Sequence, residues 1–374
     1  MSFVAQYAAQ SGETIRKLVI APVDIGGLQL VALGTDSSVE LVWIATATYD
    51  IKQAHTFFLG NDVTVTALDW SARTRELSRE GTSTAVYVEL LVATAKRELW
   101  QLSGTIHLDE TASGCESLLV ARGRSSHRGQ ITSVSFCRGK GYEGVAATAS
   151  DDGAILIWNL DSTADPLDDE ISDVSTAASN NVRRPTCSTI TLPHGVLSVA
   201  FHPAQFGTLM AFDVTGSMRL IAWTAPNRPT LMTLTDPRSA SDYRQGMSSK
   251  RGAADWKISP VTAFGALIGD RCIFWDLAND CNGRPLQTVS AFTESGDIFR
   301  WSSSDWFAIA TSASNPSSAP IRIIDSAYPQ RPFEIGLPRR ATVHDLAWFT
   351  HDDILAIAAG SQMLVCLPSH AAGY

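Results

Sequence analysis

The sequence lacks the features that mark a membrane-spanning, secreted or nucleic-acid-binding chain. None of its apolar stretches approaches the roughly 18 residues that cross a bilayer. Residues 1–6 have neither the basic start nor the apolar run of a secretory signal. The formal net charge is −9 and the pI is about 5.4, so no overall positive charge attracts phosphate backbones or anionic membranes. We therefore expect a protein that works inside the cell without binding nucleic acid directly or inserting into a membrane.

Paired cysteines and metal-ligand clusters are lacking as well. The six cysteines and eight histidines are scattered, with no C-x-x-C pair and no grouping of zinc ligands. This pattern predicts reduced, mostly buried thiols, no metal and no cofactor. Glycine-rich phosphate-binding loops are also missing, because Gly26, Gly27, Gly139 and Gly141 lie in segments that read as hairpin turns.

What the sequence does contain is an internal repeat. Short β-branched strands that end in tryptophan recur every 52 to 65 residues, at Trp43, Trp100, Trp158, Trp223 and Trp275. A second series of short strands ends in an aromatic residue, at Trp70, Phe136, Phe201, Trp256, Trp301 and Trp348. Strands of small residues such as 145–148 and 307–311 lie between the two series. Small residues suit crowded inner strands and aromatics suit the gaps between sheets, so each repeat is interpreted as a four-stranded blade.

The repeat predicts an all-β fold, a single seven-bladed WD40-type β-propeller that spans residues 1–374. The blades are predicted to start near residues 15, 62, 127, 194, 252, 296 and 341. The last blade supplies three strands, and we predict that residues 3–7 add the fourth and close the ring. Two polar segments, 161–185 and 236–251, are expected to be mobile insertions, either simply solvated or ordered by a partner or by phosphorylation.

Blade three carries the most regular polar pattern. His127 precedes its first strand, Thr148 lies on the second, Asp152 lies in the turn and Trp158 ends the third. The four match the hydrogen-bonded tetrad of WD40 repeats, in which the aspartate accepts the imidazole N–H and a His–Thr–Trp chain joins adjacent strands. We interpret them as structural because no activated serine or cysteine nucleophile accompanies them. No catalytic, cofactor-binding or metal site is predicted, and the partner-binding residues are unknown.

From about residue 125 to 367 the chain resembles one group of propellers in particular. The first such stretch is 127–160, with Ser-Asp-Asp-Gly at 150–153 and Ile-Trp-Asn-Leu at 157–160. Further stretches follow in the same order: 197–203 with its His-Pro, 254–256 leading to 273–276, Phe-Arg-Trp-Ser at 299–302, and 346–348. These resemble the small propeller nucleoporins of the Y-shaped nuclear pore subcomplex, in their fungal form.

The resemblance implies a non-enzymatic scaffold in the coat of the nuclear pore complex, at the nuclear envelope. In that family the propeller docks on the helical region of a large elongated nucleoporin in one arm of the Y, and through it joins the rest of the Y complex. The implied role is support of protein and mRNA transport through the pore, with no small-molecule substrate.

Two other readings stay open. A different WD40 adaptor, such as a ubiquitin-ligase substrate receptor or a histone-binding protein, is disfavoured by the short flanks, although the acidic segment 161–185 suits a histone binder. An enzyme on a propeller would place titratable residues in the central channel. The first-strand residues Thr66, Ser133, Ser198 and Asp297 predict no repeated carboxylate or histidine there. The basic pairs 183–184 and 339–340 fall short of a nucleic-acid stripe.

Overall fold

The computed structural model is a ring of seven antiparallel β-sheets. It describes residues 2–77, 85–108, 112–162, 185–225, 230–246, 251–257, 262–278, 283–291, 296–312, 319–337, 341–350 and 353–367. In six of the sheets the four main strands run from the inner to the outer edge in chain order, and one of these six carries an extra short strand. The seventh sheet has three consecutive strands and takes its outer strand from the N-terminus. Within the described ranges, no helix has the length and hydropathy of a membrane-spanning segment.

The strands are numbered along the chain. The first strand and blades one to three comprise β1 Ser2–Ala8; β2 Lys17–Ile25, β3 Leu28–Gly34, β4 Ser38–Ala45 and β5 Ile51–Phe58; β6 Val65–Trp70, the short extra β7 Arg75–Leu77, β8 Ala85–Thr94, β9 Leu99–His107 and β10 Ser113–Ala121; then a 3-10 helix, Gly123–Ser125, before β11 Ile131–Phe136, β12 Val145–Ser150, β13 Ala154–Asn159 and β14 Thr186–Thr191. Blades four to seven comprise β15 Val196–Phe201, β16 Thr208–Asp213, β17 Ser217–Ala222 and β18 Thr230–Thr235; helix α1 Pro237–Arg244; β19 Gly252–Trp256, β20 Ala263–Ile268, β21 Arg271–Asp276 and β22 Gln287–Ser290; β23 Ile298–Trp301, β24 Trp306–Ala310, β25 Ile321–Asp325 and β26 Phe333–Ile335; and β27 Val343–Trp348, β28 Leu355–Ala359 and β29 Gln362–Leu367.

The N-terminal strand closes the ring, as predicted. Strand β1 pairs antiparallel with β29 and is the outer strand of blade seven. The inner strand β27 of that blade packs beside β2, the inner strand of blade one. Residues 2–8 and 362–367 are therefore held in one sheet, and β29 does not present an unpaired edge.

The hydrophobic core lies between the blades. Seven separate clusters of buried residues occur, one at each interface between neighbouring sheets. Large rings fill these interfaces, and Trp70, Phe212, Phe264, Phe299 and Phe307 are completely buried. This arrangement follows from the repeat, because sheets that pack face to face need bulky side chains in the gap.

Two of the tryptophans that the repeat places at strand ends lie elsewhere. Trp100 is the second residue of β9, not its last, and Trp223 follows the end of β17. Blade two has longer middle strands than the other blades, so its strand continues seven residues past the tryptophan to His107. A tryptophan in this series therefore indicates that a third strand is present, but it does not locate the residue at which that strand ends.

The polar segment 236–251, predicted to be a loop, contains helix α1. The Asp236 carboxylate accepts a hydrogen bond from the backbone N–H of Ser239 at 2.9 Å, and Pro237 occupies the first helical position. An aspartate cap followed by proline is a helix start signal. The Arg271 guanidinium lies 3.6 Å from the Asp236 carboxylate and joins the helix to blade five. Of the acidic segment 161–185, residues 163–184 lie outside the described residues, as do both basic pairs.

Candidate functional site: the blade-three tetrad and the central channel

The structure brings the four predicted residues of blade three together. The Nε2 atom of His127 lies 2.7 Å from the hydroxyl oxygen of Thr148, and the indole N–H of Trp158 donates to the same oxygen at 2.9 Å. All three side chains are buried. The hydroxyl thus joins the loop before β11 to strands β12 and β13.

Asp152 makes a different contact from the one predicted. Its carboxylate lies 3.8 Å from Nδ1 of His127, an electrostatic contact rather than a hydrogen bond. Its oxygens instead accept backbone N–H donations from Arg128 at 2.8 Å, Gly129 at 3.0 Å and Ala154 at 2.8 Å. Burial opposes ionisation of Asp152, but these donations outweigh it and hold its pKa below the ordinary value. Asp152 therefore fastens the turn between β12 and β13 to the loop at His127.

The tetrad has the geometry of a structural network. Burial lowers the pKa of His127, against the pull of the nearby Asp152 carboxylate, so its imidazole is neutral at pH 7. The Thr148 hydroxyl has no solvent exposure, so no substrate could reach it. Gly153 completes the turn with a φ of 84°, and a Cβ there would lie 2.6 Å from the carbonyl oxygen of Leu192.

A second polar site occupies the central channel, where the inner strands of the blades converge. Side chains that point inward bridge neighbouring inner strands, which do not pair with each other. The carboxylate of Asp69 accepts the backbone N–H of Phe136 at 2.8 Å, and that of Asp255 accepts the N–H of Trp301 at 3.2 Å. The hydroxyl of Ser135 likewise accepts the N–H of Phe201 at 3.2 Å. The three acceptors occupy the same position, one residue before the aromatic that ends the inner strand.

The tryptophans at these strand ends add a second type of bridge. The indole N–H groups of Trp70, Trp256 and Trp348 each donate to a backbone carbonyl of the preceding blade, at 3.1 to 3.3 Å. The aromatic series in the sequence therefore marks hydrogen-bonded junctions between blades as well as buried core positions.

Carboxylates and guanidinium groups lie close together in the channel. Arg138 lies 3.5 Å from the Asp69 carboxylate, and Arg300 lies 3.0 Å from that of Asp345. Both guanidinium groups also act on Asp255 at longer range. A cavity of about 530 Å³ opens here, lined by Asp69, Arg138, Asp255 and Arg300 among others. Asp345 lies deeper and is 1% exposed.

The expectation of a channel without repeated carboxylates is wrong. That prediction took Thr66 and Asp297 to face the channel. The strand pairing shows instead that Ala67 and Ile298 occupy, in their own blades, the position that Ser133 has in blade three. A slip of one residue exchanges the two faces of a strand. The signal that could have found the carboxylates is the Asp-Trp pair, which ends the inner strand at 69–70 and again at 255–256.

Burial is the main influence on the pKa of the two carboxyl groups that line the cavity. It raises the pKa of both Asp69 and Asp255, and the neighbouring arginines and two backbone N–H donations offset only part of that effect. Among the described residues, no group of three or more His, Cys, Asp or Glu side chains could hold a metal ion. The channel thus presents both carboxylates and guanidinium groups to the cavity.

Comparison with known proteins places the fold. No family model and no curated protein matches the chain. Among solved structures, the crystal structure of Raptor from Chaetomium thermophilum is similar, with a TM-score of 0.63 and 13% sequence identity. The match covers 97% of this chain and 29% of the Raptor chain, so this chain spans less than a third of that protein's length. At this level of identity the likeness establishes architecture alone, and the chain has the fold of a seven-bladed β-propeller of the WD40 type.

Proposed function

We propose that this propeller is a non-enzymatic protein-binding scaffold, and that it serves in the Y-shaped coat of the nuclear pore complex. The proposed partner is the helical region of a large elongated nucleoporin, which would hold the propeller at the nuclear envelope. The coat role is supported by the resemblance of residues 125–367 to the small propeller nucleoporins. The binding role is supported by the outer rim of the ring.

The observation that carries the binding role is an exposed apolar surface on the outer strands of blades four and five. Met232 on β18 pairs with Leu220, whose side chain faces blade five. Ile273 belongs to the core shared with blade four, and Thr288, its partner on β22, therefore points to the same side. Leu286 lies two residues before Thr288 and so faces blade four as well. Met232 is 44% exposed and Leu286 is 63% exposed, so apolar side chains are open to solvent on the facing sides of the two outer strands, a surface named here the crevice between blades four and five.

A similar crevice lies between blades six and seven. Phe333 pairs with Ile323, and Phe3 pairs with Cys366, and both of these partners belong to the core between the two blades. The ring of Trp306 contacts Phe333 at 5.6 Å between centroids. Grouped apolar side chains on a rigid surface mark sites of protein contact, and the apolar face of a helix is one partner that binds such surfaces.

Protein is a better partner than nucleic acid or membrane on electrostatic grounds. The net charge of −9 repels phosphate, so association with nucleic acid would need a concentrated basic surface. The described cations of the channel face carboxylates and are not arranged as a basic stripe.

Affinity purification of the tagged chain from its native cells, followed by mass spectrometry, tests the proposal. We expect the large nucleoporins of the Y complex in near-equal amounts with the propeller. The double substitution Met232→Thr and Leu286→Thr should reduce that recovery. Phe58→Thr is the matched control, since Phe58 is 63% exposed on the outer strand of blade one, away from the crevice.

Other outcomes would redirect the function. Recovery of a cullin would indicate a ubiquitin-ligase substrate receptor, and recovery of histones a chromatin-associated propeller. Either result without nucleoporins overturns the nuclear pore role and leaves the scaffold in place. Recovery of no stoichiometric protein partner overturns the scaffold itself.

A further inference from the structure

We propose that the mouth of the central channel binds one cationic side chain, arginine or lysine, presented by a partner protein, with Asp255 as its counter-ion. The inference deepens the proposed scaffold function and rests on it. The site lies where the inner strands end, and it is separate from the rim crevices on the outer strands.

The charge inventory of the channel leaves one carboxylate without a cation. Asp345 pairs with Arg300 at 3.0 Å, and Asp69 lies 3.5 Å from Arg138. In the described part of the chain, no basic side chain forms an ion pair with Asp255. Of these three carboxyl groups, Asp255 is thus the one that has no ion-pair partner among the described residues.

The other titratable groups near Asp255 do not supply the missing charge. Lys257 forms an ion pair with Asp305 and lies over the ring of Trp301, 5.4 Å from its centroid. His202 accepts backbone N–H donations at Nδ1 from Ala204 and Gln205, at 3.0 and 2.9 Å. Burial lowers the pKa of His202, so its ring is neutral at pH 7.

The protonation behaviour of Asp255 supports a missing partner. Burial raises the pKa of this carboxyl, because its charged form is poorly compensated where it lies. A cation placed beside it would stabilise the charged form and would itself be held in a site of low dielectric constant. A ligand carboxylate should bind less well than a cation, because the two guanidinium groups that it would meet already face Asp69 and Asp345.

The walls of the cavity suit an amino-acid side chain on a peptide. A volume of about 530 Å³ lies within the roughly 300–1,000 Å³ that is typical of ligand pockets. Trp256, Trp301 and Trp348 line it, and aromatic faces attract guanidinium and ammonium groups. Arg138, with a side chain 52% exposed, lies where the cavity meets solvent.

The test uses the full chain and a seven-residue glycine–serine peptide with one central arginine, followed by NMR of the tryptophan indole N–H signals. We expect saturable shifts of the Trp256 and Trp301 signals, with the remote signals of Trp43 and Trp100 unmoved. The same peptide with citrulline, which has the shape of arginine without its charge, should bind at least about tenfold more weakly.

Variants locate the site. Asp255→Asn should weaken binding of the arginine peptide at least about tenfold. Asp50→Asn, which changes an exposed carboxylate in blade one, should leave it unchanged. Asp255 also accepts hydrogen bonds from backbone N–H groups, so its replacement could disturb the fold. The indole signals of the tryptophans outside the channel report whether the variant is folded. The citrulline comparison uses the unaltered protein and does not depend on the variant.

Three results would overturn the site: no shift with the arginine peptide, equal binding of the citrulline peptide, or stronger binding of a glutamate peptide. The scaffold function is judged separately. If Asp255→Asn captures the same partners from cells as the unaltered chain, with equal yield, the channel site fails while the scaffold stands. If the unaltered chain captures no partner, the scaffold fails whatever the peptide does.

Discussion

At the residue scale, a single hydroxyl group in blade three holds three segments of chain together. Asp152 faces Nδ1 of His127, which favours a proton on that nitrogen and leaves Nε2 as an acceptor. The Thr148 hydroxyl then donates to His127 and accepts from Trp158, so both of its hydrogen-bonding roles are used. Loss of this one oxygen leaves two buried polar atoms without partners.

We therefore expect Thr148→Val to lower the free energy of unfolding by about 2–4 kcal/mol, since each unsatisfied buried group costs about 1–3 kcal/mol. Thr148→Ser is the control, because it keeps the hydroxyl and removes one methyl group, at about 1 kcal/mol. Urea denaturation followed by tryptophan fluorescence measures both. Equal loss in the two variants would contradict the role of the hydroxyl.

The same network predicts a pH dependence. Burial lowers the pKa of His127 in the folded protein. As pH falls below about 6.5, the unfolded chain takes up a proton that the folded chain excludes, so the contribution of His127 to the free energy of unfolding should fall between pH 7 and pH 5. The raised pKa values of Asp69 and Asp255 give the opposite slope.

Comparison with a variant isolates the histidine. His127→Gln removes this contribution and keeps the two carboxyl groups, so the difference in free energy of unfolding between the unaltered protein and the variant should shrink as the pH falls from 7 to 5. Denaturation curves at pH 7, 6 and 5 provide the measurement. Parallel pH profiles for the two proteins would show that His127 titrates alike in the folded and unfolded states.

At the scale of elements, the strand that closes the ring does more than cover an edge. Tyr7 on β1 donates its hydroxyl to the Glu40 carboxylate of blade one at 2.9 Å, and the backbone N–H of Gln10 reaches the same carboxylate at 3.1 Å. Glu40 is buried, with 1% exposure. The N-terminal segment thus covers the edge of β29 and also satisfies a buried charge in the next blade.

Deletion of residues 2–9 should therefore lower the melting temperature and cause self-association through the exposed edge of β29. Size-exclusion chromatography with light scattering, together with thermal unfolding, measures both effects. A synthetic peptide of residues 2–9 is the control, and its addition should restore the monomer. A truncated chain that stays monomeric with an unchanged melting temperature would show that the ring is stable without β1.

The sequence allowed prediction of the seven blades, the closing strand and the aromatic ends of the inner strands, because the pattern behind them is repeated around the ring. Features that occur once were harder to predict. The cap and proline of α1 were visible in the sequence, but its attachment through Arg271 comes from another blade. The carboxylates at 69 and 255 were missed because a slip of one residue in strand phase hides them. Which face a side chain takes is set by pairing, not by composition.

At the scale of the whole molecule, stability is distributed around a ring. Each of the seven core clusters belongs to two blades at once. A linear array of repeats can unravel from an end, but a closed ring has no end. Loosening one interface exposes apolar surface on both neighbours and removes the hydrogen bonds between their inner strands, so the disturbance passes to the next interface.

This predicts that damage at one interface weakens every blade together. Phe212 is completely buried between blades four and five, and Phe212→Ala should cost about 3–5 kcal/mol. Hydrogen exchange should then show protection lost by a similar free energy in all seven inner strands, because global unfolding governs their exchange. Leu231→Ala is the control, since Leu231 is 61% exposed on the same blade and its replacement should change stability by less than about 0.5 kcal/mol. Protection lost only in blades four and five would mean that the ring unfolds in independent parts, and that β1 closes it without making its blades cooperative.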